Sequence, residues 1–85
     1  MNLAPTPTLT ERVELARLQK GRAIDDHMRL SAILNCAHEV GLENLMLERL
    51  RALYRESAEA VTTAQQGYNA LRLELYFHKM GALSA

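Results

Sequence analysis

HEVGLEN, residues 38–44, is the stretch on which the fold turns. Gly41 stands between Val40 and Leu42, with His38 in the turn before it and Asn44 three residues beyond. Glycine enters left-handed backbone without a Cβ penalty, so it commonly lies just past a helix end, and Asn is a favoured N-cap. The stretch predicts one helix stopping at Gly41 and a second starting at Asn44.

Downstream the apolar pattern keeps one period. Leu47, Tyr54, Val61, Tyr68 and Leu75 recur every seven residues, and Leu50, Ser57, Ala64, Leu71 and His78 follow three positions on. Met46, Leu53, Ala60 and Gly67 flank them, so a wide coiled-coil stripe is expected on a helix from about Asn44 to Met80. Gly81, just after His78 and Lys79, is expected to end it. Within this helix SAEAVTTAQQG, residues 57–67, has little bulk. Ser57, Ala60, Ala64 and Gly67 form a stripe that predicts close approach of another helix.

Upstream, Leu9, Val13, Ala16, Ala23, Ile24, His27, Leu30, Leu34 and Ala37 make a rougher matching stripe. Thr8-Leu-Thr-Glu11 has the form of a capping box and starts the first helix. Gly21 either splits that helix in two or stands as a weak point in one long helix. Pro5 and Pro7 disfavour helix at the residues before them, so residues 1–7 read as an extended or disordered leader. Residues 8–85 form a single all-α domain, an antiparallel helical hairpin of two long helices.

A hairpin has one seam, and this chain carries more apolar surface than one seam uses. Leu15 and Leu18 lie away from the face of Val13 and Ala16, and Ile33, Cys36 and Val40 widen the stripe beyond Leu34 and Ala37. From Leu71 to Met80, Leu71, Leu73, Leu75, Tyr76, Phe77 and Met80 surround the helix on all sides. Folding at Gly41 brings this end beside Glu11 to Leu18. Burying such a side chain fully is worth roughly 1.5–3 kcal/mol, so a cover is expected: the leader with Leu3, or a second chain completing a bundle. The second chain is the favoured expectation, bound through Leu15, Leu18, Leu71, Leu73, Tyr76, Phe77 and Met80.

Charge and chemistry narrow the function. Ten basic and ten acidic residues cancel overall, and five of each fall on either side of Gly41, so no half is a basic arm or acidic tail. Cys36 is the sole cysteine, which excludes an intramolecular disulfide and a cysteine-based zinc site. No run of about 18 apolar residues predicts a membrane span, and Met1–Thr10 has no basic residue or apolar run of a secretory leader. A cytoplasmic protein is expected. His27 and His38 share a helix face but lie about 16 Å apart along it, so no metal site is expected. Cys36 reads as a small packed hydrophobe, and Tyr54 and Tyr68 as core or interface anchors.

With no catalytic, cofactor or metal constellation, the sequence points to a non-enzymatic helical protein that binds another protein. The partner is a second copy or a heterologous helix, as in small adaptors, chaperones, secretion accessory proteins and antiactivators of this size. The alternative is a nucleic-acid-binding regulator. Ala37, Val40, Gly41, Leu42, Leu47 and Leu50 fall at helix-turn-helix spacing within residues 33–50. Its recognition face, however, would be Glu43, Asn44, Leu45, Met46, Glu48 and Arg49, and the two acids and two bare hydrophobes among them suit neither phosphate nor base edges.

Overall fold

The computed structural model describes the backbone of residues 6–84 and the side chains of residues 6–81. Two helices, α1 (Leu9–Val40) and α2 (Asn44–Ser84), are joined by Gly41, Leu42 and Glu43, with no strand among the described residues. Thr6 and Pro7 precede α1 outside any helix. The rest of the predicted leader, Leu3 included, lies outside the described residues.

α1 begins where Thr8, in extended backbone, accepts the Glu11 N–H on its hydroxyl at 3.1 Å. That interaction satisfies one of the amides a helix start leaves open. α1 ends as the glycine predicts: Gly41 is left-handed at φ 68°, ψ 48°, and its N–H bonds the Ala37 carbonyl. Leu42 N–H reaches the same carbonyl at 3.3 Å, closing a Schellman-type cap.

α1 runs unbroken through Gly21, the second of the two alternatives the sequence left open, and no side chain lies within 4 Å of its Cβ position. Two boundary expectations are corrected. The cap of α2 falls one residue early: Asn44 is already helical, and the Glu43 carbonyl accepts from Leu47 N–H at 3.1 Å. Gly81 does not end α2, which continues to Ser84, because Gly41 is the only described glycine at positive φ and Gly81 makes no left-handed cap.

The helices run side by side from the turn to the open end. Half-buried or buried positions on α1 include Leu9, Val13, Ala16, Lys20, Ala23, His27, Leu30, Leu34 and Ala37, alternating three and four apart, with Ser31 half-buried beside them. On α2 they include Leu47, Leu50, Tyr54, Ser57, Val61, Ala64, Tyr68, Leu71 and Leu75. Both rows keep the spacing of an antiparallel coiled coil. The α1 row is cleaner than the sequence reading, because Lys20 occupies a seam position and Ile24, 36% exposed, lies at its edge. Met46, Leu53, Ala60, Gly67 and His78 are exposed, so the stripe of α2 is narrower than expected.

This seam encloses little. Ala16, Ala37 and Ser57 are the buried residues, and no large side chain is fully buried among the described residues. The molecule measures 63 × 37 × 14 Å with a radius of gyration of 19.0 Å. A compact chain of this length would have a radius near 12 Å. The hairpin is a single helical layer, whereas stable domains place two layers around a core.

Candidate interaction surface

Two polar clusters sit inside the seam. Ser57, buried on α2, donates its hydroxyl proton to the Tyr54 carbonyl at 2.7 Å, and its oxygen lies 2.7 Å from His27 Nδ1. A hydroxyl has one proton, so His27 Nδ1 is the donor in that contact. The imidazole also stacks on Tyr54, with ring centroids 4.5 Å apart. Three turns further along α2, Tyr68 lies between two cations, with Lys20 Nζ 5.0 Å and Arg72 Cζ 5.4 Å from its ring centroid. The aromatic face is what lets Lys20 take a seam position: its stem packs while its ammonium meets the ring. Tyr54 and Tyr68 thus both sit on the seam.

At the open end Val13 of α1 borders a shallow hollow with Arg72, Leu75, Tyr76 and Lys79 of α2. Beyond it Tyr76 and Phe77 meet edge to face at 5.9 Å. Of the residues predicted to bind a partner, Leu15, Leu18, Leu73, Tyr76 and Phe77 are each at least half exposed, and Met80 is 45% exposed. Leu71 is different. It is half-buried on the seam, at the same spacing as Leu50 and Ala64, and belongs to the intramolecular packing.

The small-residue stripe divides in the same way. Ser57 is buried and Ala64 half-buried against α1, but Ala60 and Gly67 are exposed, and no atom lies within 4 Å of a Cβ built at Gly67. In the hairpin no helix lies against those two, because they sit a quarter turn off the row of Ser57 and Ala64. Cys36 is likewise exposed rather than packed. It shares a flank of α1 with Ile33 and Val40, which are 50% and 74% exposed.

Sequence reasoning passed over part of the exposed apolar surface: Met28, Leu45, Met46 and Leu53, of which Leu45 and Met46 lie near the turn. The signal was available. Seam positions drawn strictly at alternating three and four spacing leave Met46 and Leu53 a quarter turn outside them.

The remaining chemistry is sparse. Glu14 and Arg17 form an exposed ion pair one turn apart, and the Arg17 bond holds the Glu14 carboxyl below the usual carboxylate range. The same bond raises Arg17 above its ordinary value. A second open hollow is lined by Glu48, Arg51, Tyr54 and Arg55. Among the described residues no three His, Cys, Asp or Glu side chains converge on a possible metal site, and no helix is long and apolar enough to cross a membrane. Compared with protein-family models, curated proteins and solved structures, the chain has no match in any of the three.

Proposed function

We propose that this chain is a non-enzymatic, cytoplasmic protein-binding module whose helical hairpin is completed by another polypeptide. One observation carries this reading: thirteen large hydrophobic residues are exposed among the described residues, while the buried ones are two alanines and a serine. Scattered apolar residues are normal on a surface. Here they lie along both helices of a single layer that buries no large side chain of its own. A partner helix laid on either flank would supply the missing second layer. Adaptor, small chaperone, secretion accessory and antiactivator roles all use such a surface.

Size-exclusion chromatography with light scattering on the isolated chain tests the proposal. A dimer, or an aggregate made soluble by co-expression with a partner, supports it. A clean, cooperatively melting monomer overturns it.

A second reading, nucleic-acid binding, draws on the flank of α2 where Arg51, Arg55, Arg72 and Lys79 are exposed against Glu48 alone. The helix-turn-helix version gains no such support. That motif joins its helices at about 90–120°, whereas here Leu47 and Leu50 are spent on an antiparallel seam. A gel shift at low salt separates the readings, since phosphate-driven affinity falls steeply as salt rises.

A further inference from the structure

We infer that the covering polypeptide is a second copy of this chain, docked through the flank of α2 that runs from Met46 to Phe77, with the two α2 helices antiparallel about a two-fold axis between Ala60 and Thr63. This rests on the reading above, that the hairpin's apolar flanks are covered by protein.

The flank has its own coiled-coil register. Ten exposed positions from Met46 to Phe77 alternate three and four residues apart, a quarter turn from the seam. Turned antiparallel onto itself about the stated axis, the row pairs Met46 with Phe77, Arg49 with Glu74, Leu53 with Ala70, Glu56 with Gly67 and Ala60 with Thr63. No pair opposes like charges, and the two small residues Ala60 and Thr63 meet at the axis. The apolar ends meet, a large residue faces a small one, opposite charges oppose, and the lone Glu56 faces the residue with no side chain.

Charge selects this arrangement over its neighbours. A parallel pairing in register sets Arg49 on Arg49, Glu56 on Glu56 and Glu74 on Glu74. Sliding the antiparallel pair by one heptad in one direction sets Glu56 on Glu74. In the other direction it leaves Glu74 and Phe77 beyond the end of the row. Like charges directly opposed are destabilising. The other flank of α2, with Arg51, Arg55, Arg72 and Lys79 against Glu48, would repel its own copy.

α1 fits the same arrangement. In an antiparallel pair, corresponding flanks of the two helices share a broad side, which places Leu15, Ile33, Cys36 and Val40 with the docking row. His27 is level with Ser57. The two-fold therefore sets Leu15 of one copy near the level of Leu53 in the other, and Ile33 and Cys36 near Phe77. The assembly is a four-helix bundle, two hairpin layers deep.

Sedimentation equilibrium with circular dichroism tests the proposal on the full chain and three variants. The wild type is expected to be a helical dimer at micromolar concentration. Arg49→Glu and Glu74→Arg each place like charges at two symmetric contacts and are expected to raise the dissociation constant about tenfold. The double variant is expected to return it to the wild-type value. Because the two residues lie about 37 Å apart along one helix, that rescue can act only between copies. A dimer indifferent to both single reversals, or one weakened without rescue, overturns the proposal. A wild-type chain that stays monomeric also overturns it. If that monomer is poorly helical, the hairpin still requires a cover that is not itself. If it melts cooperatively, the protein-binding reading falls as well.

Discussion

Ser57 carries a single hydroxyl proton, and its destination organises the centre of the seam. With the proton on the Tyr54 carbonyl, the oxygen is left to receive His27 Nδ1–H. Ser57→Ala removes the acceptor and leaves that N–H half-buried without one, so a loss of about 1 kcal/mol is expected in urea unfolding. Adding His27→Leu, which removes the orphaned donor, is expected to recover that loss. If the double variant is no more stable than Ser57→Ala alone, the polar contact is not what Ser57 contributes. Glu14 offers a second test at this scale. Its carboxyl is held below the ordinary range by the Arg17 hydrogen bond. A depressed folded-state pKa means the stabilisation is present above the ordinary carboxylate range and lost as pH falls through the depressed value. An NMR titration should find Glu14 protonating at lower pH in the wild-type chain than in Arg17→Ala, where the hydrogen bond is gone.

At the scale of the helices, two glycines carry opposite consequences. Gly41 is left-handed at φ 68°, where a Cβ costs about 1–2 kcal/mol, so Gly41→Ala is expected to lower stability by that much. Gly21 is helical and exposed with nothing near its Cβ position, so Gly21→Ala should raise stability by up to about 1 kcal/mol. Thermal melts of the two variants should move in opposite directions. The stop at Gly41 was legible because a glycine flanked by apolar residues and followed by a cap residue has few other uses. Gly67 was legible as a position inside the helix, but whether Gly21 breaks α1 and whether Gly81 ends α2 was not. A glycine within a helix and one at its end differ in φ, and glycine takes either value without a Cβ penalty. Lys20 was invisible on the seam because its place there rests on a partner 48 residues away in the chain, the Tyr68 ring that its ammonium meets.

For the whole molecule, the deciding quantity is thickness. At 14 Å in its thinnest dimension, the hairpin is one helix layer with apolar residues on its flanks. The aromatic pair at the open end lies outside the seam, with Tyr76 56% and Phe77 62% exposed. Tyr76→Ala combined with Phe77→Ala is therefore expected to leave the helicity of the chain largely intact while weakening its association at least tenfold by light scattering. A loss of helicity in a chain that is otherwise monomeric would assign these rings to intramolecular packing instead. Ala64 and Gly67 extend the test to the small-residue row. Ala64→Leu should disrupt the hairpin by crowding the seam, whereas Gly67→Leu meets open space within one chain.

The sequence by itself determined that this protein is two long helices folded back at Gly41, because helical period, caps and breakers are local properties written within a few residues of one another. It also determined that the chain has apolar surface beyond one seam. Only the tertiary structure decided which residues that surface contains. A seven-residue repeat says that a stripe exists, but its width depends on how the facing helix sits, and a quarter turn of rotation moves a residue from the seam to the flank. That rotation placed Leu71 inside, left Ala60, Gly67 and Cys36 outside, and brought Met46 and Leu53 into the exposed row.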